Sequence, residues 1–416
     1  MLDPAFPSLH IRPGYGWMND PNGLCRIDGH YHVFYQYNAL APRHEAITWG
    51  HSTSTDLIHW DHLGVALVNR PGQVDQIGCW SGGIVDDDGV PTAVYTAVRD
   101  QAWNAGVVLA RSDRTLRHWV QDEEMVMGTP DDQGIDEVRD PFVFTFEGHR
   151  YVIQGAGQRT GRPQIRLYGC DDLSDWVELG PLLRENDTVA AAVAPANIWE
   201  CPNLIQVDGR WVLLVSLWRW ENGTHQLAGV RYLLGTLRMK RGGPRFQAQS
   251  GGVLDSGPTF YAPQALSELD RTLLWGWAWE DGRSDATIAE AGWAGVLTFP
   301  RELYLSGDEL GTRPAAELSG LRTGELDWEV ERPFMARSFE VVATGAVTLV
   351  ALRGEQERIV AAVPTHDRAT RILVDASMVE VFAGLTAHTS RHYPAVSDRW
   401  MLRADPTTTT VYALGY

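Results

Sequence analysis

Short runs of alternating apolar and polar residues recur along most of this chain, and tight-turn candidates separate them in pairs. The turn candidates are Asp28-Gly29, Asp88-Gly89, Glu147-Gly148, Asp208-Gly209 and Asp270-Arg271, at intervals of 60, 59, 61 and 62 residues. Runs such as Phe142-Val143-Phe144-Thr145-Phe146 precede the turns, and runs such as Trp211-Val212-Leu213-Leu214-Val215 follow them. A unit of about 60 residues, holding roughly four strands, predicts a β-propeller of five blades rather than a sandwich. No long amphipathic helical pattern interrupts it. From Leu305 to Gly324 the texture changes: Gly311, Pro314 and Gly320 read as a linker, with one helical turn at Ala315-Ala316-Glu317-Leu318. Further on, Ser338-Phe339-Glu340-Val341-Val342, Arg371-Ile372-Leu373-Val374 and Val379-Glu380-Val381-Phe382 predict a small antiparallel sandwich. The expected fold is all-β, with a propeller over residues 1–305, a linker over 306–324 and a C-terminal β-sandwich over 325–416.

The repeat also fixes where the acids fall. Asp20 lies 8 residues before its turn, Asp140 lies 7 before, Glu200 lies 8 before, and Ser81 holds the matching place in the second unit, 7 before. Equivalent positions on successive blades lie on one ring around the axis, so three carboxylates distant in sequence are expected in one hollow. Each stands at or beside a proline, in Asp20-Pro21, Asp140-Pro141 and Glu200-Cys201-Pro202. The stretch Trp17-Met18-Asn19-Asp20-Pro21-Asn22-Gly23 is the stiffest of these, because Pro21 locks its own φ and Asn19 and Asn22 bond back to the chain.

Composition narrows the partners. A formal net charge of -18 over 416 residues argues against nucleic acid and anionic membrane surfaces, and a neutral substrate fits best. Cys25, Cys79, Cys170 and Cys201 stand far apart with no C-x-x-C pair, so neither a zinc knuckle nor a disulfide framework is suggested. The N-terminal run Met1-Leu2-Asp3-Pro4-Ala5-Phe6-Pro7 has no basic region and no apolar core, which predicts a cytoplasmic protein.

Clustered carboxylates bind hard cations or work as acid and base at a glycosidic bond. The calcium-loop pattern is absent, and Arg139 beside Asp140 already supplies positive charge, so no metal is expected. Glycosidic chemistry needs one ionised carboxylate and one kept protonated, and crowding like charges produces that split. Arg139 and backbone N–H groups are expected to hold the remaining carboxylates ionised.

The segments Trp17-Met18-Asn19-Asp20-Pro21-Asn22-Gly23, Arg139-Asp140-Pro141 and Trp199-Glu200-Cys201-Pro202 resemble, in order and spacing, the three signature motifs of glycoside hydrolase family 32, the invertase, levanase and inulinase family. Matching stretches run along nearly the whole chain, among them Phe34-Tyr35-Gln36-Tyr37-Asn38, Cys79-Trp80-Ser81-Gly82 and Phe260-Tyr261-Ala262-Pro263-Gln264. The resemblance implies a retaining exo-β-fructofuranosidase acting on sucrose or short fructo-oligosaccharides without a cofactor. By the same resemblance Asp20 is the nucleophile, Glu200 the acid/base and Asp140 the transition-state stabiliser, assisted by Arg139. A retaining mechanism expects the carboxyls of Asp20 and Glu200 about 5–5.5 Å apart. Asn19, Gln36, Trp49, Ser81 and Trp277 are implied to line the fructose subsite, with Trp80 as an aromatic wall and Cys201 as a neighbour that tunes the acids. From residue type alone, Trp80 and Trp277 suit a propeller core equally well.

Departures from the family pattern concern the leaving group. The family often has a Trp eight residues after the Gln of Phe34-Tyr35-Gln36; here that place holds His44, preceded by Arg43. These two are either solvated loop residues or part of a site for a phosphorylated sugar. Ser81-Gly82-Gly83 and Cys201-Pro202-Asn203 also depart from the common Ser-Gly-Ser and Cys-Pro-Asp. Fructosyltransferase and sucrose-6-phosphate hydrolase activities therefore stay open within the family, and a carbohydrate-binding propeller without catalysis is the alternative from another class. The C-terminal sandwich is expected to pack on the propeller or to join copies of the chain.

Overall fold

The computed structural model describes residues 3–129 and 135–416, so Met1 and Leu2 of the N-terminal reading lie outside the described residues. Strands dominate. The helical pieces among the described residues are Thr188–Val193, Asp285–Ala291 and the 3-10 turns Ala102–Asn104 and Ala316–Leu321. None of these helices is long and apolar enough to cross a membrane.

Antiparallel hairpins form at all five expected turns: Gly16–Ile27 with His30–Asn38, Gly78–Asp87 with Val90–Val98, Glu137–Phe146 with His149–Gly157, Ile198–Val207 with Arg210–Glu221, and Phe260–Ser267 with Thr272–Ala278. In the first four turns both central residues have positive φ, as at Asp28 (50°) and Gly29 (83°) or Asp208 (46°) and Gly209 (79°). That is the backbone whose twist matches the flanking strands. The fifth hairpin turns instead through Glu268 to Arg271, closed by the Glu268 N–H on the Arg271 carbonyl.

Each first strand of these hairpins carries a β-bulge a few residues before its turn. Residues 19–20 oppose Gln36, 80–81 oppose Thr96, 140–141 oppose Gln154, 201–202 oppose Val215 and 262–263 oppose Gly276. The extra residue bends the strand and re-aims the side chains around it. The bulged strands pack on one another in cyclic order, the first on the second and so on, with the fifth returning to the first. Residues at or beside all five bulges, Asp20, Trp80, Asp140, Glu200 and Tyr261, line one cavity.

Further strands extend each hairpin outward, and Trp293–Ala294 adds to the first one in parallel, with Gly16 opposite Trp293. The third and fourth hairpins share one eight-stranded sheet, because Gly157 pairs with Ile198 across them. The segment expected as a linker is built in rather than free: Glu309–Pro314 pairs with Arg301–Ser306, and the 3-10 turn that follows buries Leu318 and Leu321. Gly311 is there for closeness, since a Cβ would sit 2.4 Å from the ring of Tyr304.

Beyond it, a six-stranded and a three-stranded sheet enclose an apolar core that includes Phe339, Ile372, Val374, Trp400 and Leu402. The N-terminal segment at His10, the loop at Asp255 and the strand Arg301–Ser306 meet this C-terminal region through a fully buried ionic cluster. Arg301 donates to Asp255 Oδ2 at 2.7 Å and to Glu380 Oε2 at 2.5 Å. His10 bridges Asp375 Oδ2 at 2.8 Å and Glu380 Oε1 at 3.1 Å. Its neighbours raise the His10 pKa above 6.5 despite the burial, and His10 with backbone N–H donors holds Asp375 down at about 2. Removing Arg301 leaves Asp255 without its cation and Glu380 with His10 alone. Arg301→Met is expected to cost about 3 kcal/mol of stability, read as a lower urea midpoint at unchanged slope.

Candidate active site

The bulges turn Asp20, Asp140 and Glu200 toward one cavity of about 470 Å³, a size typical of small-molecule sites. Asp20 is the most heavily bonded to neutral donors. Its Oδ2 accepts from Ser81 Oγ at 2.6 Å and from Gln36 Nε2 at 3.1 Å, and its Oδ1 accepts from Asn19 Nδ2 at 3.1 Å. Burial pushes the Asp20 carboxyl above the usual range, while Ser81 and Asn19 pull it back. Asn19 is itself fixed by the Trp17 indole N–H at 2.7 Å, and Gln36 by His44 Nε2, 3.2 Å from its carbonyl oxygen.

Glu200 sits between a cation and a phenol. Arg139 donates to Glu200 Oε1 through Nε at 2.9 Å and Nη2 at 2.7 Å, and Tyr261 donates to Oε2 at 2.6 Å. The other end of the guanidinium pairs with buried Glu137. Arg139 thus reaches across to the fourth hairpin, and its charge also acts on Asp140 next to it.

Asp140 is held by backbone. Its φ is +60°, a left-handed conformation that aspartate tolerates better than most residues and that its hydrogen bonds hold in place. The Asp140 N–H donates to Thr96 Oγ1 at 2.8 Å, and its Oδ2 accepts from the Cys201 N–H at 2.9 Å. Burial and the charges of Glu200 and Asp20 push this carboxyl up to about 7, against the pull of Arg139. Cys201 Sγ lies 3.6 Å from Asp20 Oδ2 and 3.5 Å from Asp140 Oδ2, and its thiol is pushed well above its ordinary range by burial and these acids. It is a thiol, not a nucleophilic thiolate. Asp20, Asp140 and Glu200 thus crowd around Arg139, while Glu137 pairs with Arg139 and also lies 3.6 Å from Arg159, and burial with this crowding pushes Asp20 and Asp140 toward keeping a proton.

Thr96 has no contact with the cavity, yet it pins the backbone that aims Asp140. Thr96→Val keeps the shape and leaves the buried Asp140 N–H without an acceptor. The expected result is a kcat about tenfold lower with KM little changed, restored by Thr96→Ser.

The walls sort the remaining expectations. Trp80, Trp277 and His44 line the cavity with Asn19 and Gln36, and the buried Trp277 Nε1 has no protein partner. Ser81 stands beneath Asp20 rather than on the wall. Trp49 does not line the cavity: it is fully buried, packed against Phe34 and Tyr95, and donates to the Trp80 carbonyl at 2.9 Å. Its role is to seat Trp80. Arg43 turns away from the cavity and pairs with Glu45 in solvent, so only His44 of that pair faces the site.

Residues 10–314 match the family model described as Glycosyl hydrolases family 32 N-terminal domain. The chain belongs to glycoside hydrolase family 32. It is 32% identical to a raffinose invertase of Escherichia coli over 333 residues, 76% of this chain and 66% of that one. It is equally 32% identical to a sucrose-6-phosphate hydrolase of Zymomonas mobilis over 338 residues, 77% of this chain and 64% of that one. The chain thus spans a little under two thirds of the length of these relatives. Among solved structures, a GH32 β-fructofuranosidase of Bombyx mori, BmSUC1, superposes with a TM-score of 0.82 at 26% identity, covering 99% of this chain and 94% of that one.

Within this family 32 site, several wall residues escaped the sequence reading. Trp218, Trp220, His225 and Leu227 come from the fourth hairpin and its neighbour, Glu137 from the third hairpin and Arg159 from the turn after it. The signal was present as Trp218-Arg219-Trp220 ahead of Glu221-Asn222-Gly223, two aromatics at strand spacing before a turn. Glu137, two residues before Asp140-Pro141's arginine, carried no such mark.

Proposed function

We propose that this chain is a retaining, exo-acting β-fructofuranosidase that releases fructose from sucrose and short fructo-oligosaccharides. The architecture that goes with this reading is a five-bladed propeller over residues 1–305 and a small β-sandwich over 325–416. The observation that carries the reading is the convergence of Asp20, Asp140 and Glu200 on one cavity, each with a different set of partners. Family membership and the named activities of the relatives support it.

In this mechanism Asp20 attacks the anomeric carbon of the terminal fructosyl unit. Ser81 and Gln36 both donate to Oδ2, which leaves Oδ1 with a single donor, Asn19, and the more available lone pairs. Glu200 gives a proton to the leaving oxygen and takes one from water as the fructosyl–Asp20 ester is hydrolysed, in keeping with a two-carboxylate retaining cycle. The proton is supplied by the crowded acid cluster, and the Tyr261 hydroxyl orients the Glu200 carboxyl. Asp140 holds sugar hydroxyls as positive charge develops on the ring. Purified protein incubated with sucrose, sucrose 6-phosphate, inulin and levan tests the proposal, with released fructose quantified and its anomer followed by NMR. Release of β-fructose from sucrose supports it. Release of α-fructose, or no fructose from any of the four, overturns it; a strong preference for sucrose 6-phosphate moves the leaving group to a phosphorylated sugar.

A further inference from the structure

The cavity does not stop at the carboxylates. Ile198 opens its strand and stands opposite Trp218, so Arg219, Trp220 and Glu221 run on past the inner strand as a projecting hairpin. That hairpin turns at Asn222 and Gly223, with φ of 52° and 80°, and returns through Thr224–Lys240. Trp218 pairs with Leu227 and Trp220 with His225 across it, which puts these four side chains on one face. That face lines the cavity.

The rings are laid flat. Trp218 stacks on Trp220 with centroids 5.7 Å apart and planes 19° apart, and on His225 at 5.8 Å and 7°. Arg159, from the turn after the third hairpin, places its guanidinium 5.0 Å from the Trp220 ring and 5.8 Å from that of Trp103, and pairs with Glu137 at 3.6 Å. Exposure rises outward along this row, from 8% at Trp218 to 37% at Trp220 and 50% at Trp103. Ser216 stands opposite Glu200, so at about 3.3 Å per residue Trp218 lies about 7 Å and Trp220 about 13 Å further toward the rim.

We propose that this row is a binding site for leaving-group sugars, with Trp218 beside the unit next to the scissile bond and Trp220 with Arg159 holding the following unit. A sugar ring offers a C–H face to an aromatic plane and hydroxyls to a cationic donor, and the row presents both. Arg159 over Trp220 fixes that ring before a ligand arrives, which lowers the ordering cost of binding. A packing role alone leaves the exposed tryptophans on the rim without cover. The consequence is chain-length selection: a substrate with three or more units gains a contact that sucrose does not reach. This inference rests on the β-fructofuranosidase reading.

The test compares hydrolysis of sucrose and of the tetrasaccharide nystose by the wild-type chain, Trp220→Ala, Trp220→Phe and Arg159→Ala. The ratio of kcat/KM for nystose to that for sucrose is expected to fall about tenfold in Trp220→Ala, through KM rather than kcat, and to recover in Trp220→Phe. A smaller fall in the same direction is expected for Arg159→Ala. An unchanged ratio in Trp220→Ala overturns the site while leaving the cleavage reaction standing. A wild-type chain that cleaves neither sugar overturns the catalytic reading instead, and calorimetry with nystose then decides the row. Binding weakened about tenfold by Trp220→Ala supports it. Binding unaffected by that change, or absent from the wild type, overturns it.

Discussion

Asp20→Asn is expected to lower kcat on sucrose by at least about 10⁴-fold while the thermal midpoint stays close to wild type. The loss is large because the first bond-making step has no other oxygen to use. Cys201 is the nearest alternative, and burial beside two acids keeps its thiol protonated. The fold is expected to survive because Asp20 is only half-buried and opens on the cavity, so the variant strands no charge in a core. Asparagine can also keep an oxygen toward Ser81 and Gln36. Steady-state kinetics with a matched circular-dichroism melt checks this, and a rate above about one hundredth of wild type would falsify the assignment.

Glu200→Gln is expected to cost about 10³-fold on sucrose, and much less on a β-fructofuranoside whose leaving group is an acidic phenol. A phenolate departs without help, so the acid step ceases to limit and the remaining defect lies in the attack of water on the ester. The accumulating fructosyl-enzyme should then be visible as a mass increment on the intact protein. Equal losses on both substrates point to a positioning role for Glu200 rather than proton transfer. The substitution keeps the shape: the amide oxygen can go on accepting from Arg139, and the Tyr261 hydroxyl can turn to accept from the amide N–H.

Much of this architecture is legible in the residues. Turn chemistry at Asp28-Gly29, Asp88-Gly89, Glu147-Gly148 and Asp208-Gly209 demands two successive positive φ values, and few residue pairs supply them. The phase of Asp20, Asp140 and Glu200 against those turns follows from strand geometry, and the three arrive in one cavity. What was not legible depends on neighbours distant in sequence. Gly311 reads as a flexible link until Tyr304 is seen lying across it. Trp49 reads as a sugar-facing aromatic until Phe34 and Tyr95 close over it. The row from Trp218 to Trp103 has a local signal, yet which way its face looks is set by how the hairpins close around the axis.

The two-against-one pairing in each inner strand has an engineering consequence. Across such an irregularity the in-and-out parity of the pleat is reset, so the segment leading into it and the segment leaving it answer to separate demands. Upstream letters can be rewritten for a new ligand while downstream letters go on filling the interior, provided the surplus residue is kept. A one-residue deletion at Pro141 or Pro202 would restore a regular ladder and, in doing so, swing the reactive groups of that hairpin out of alignment with the rest.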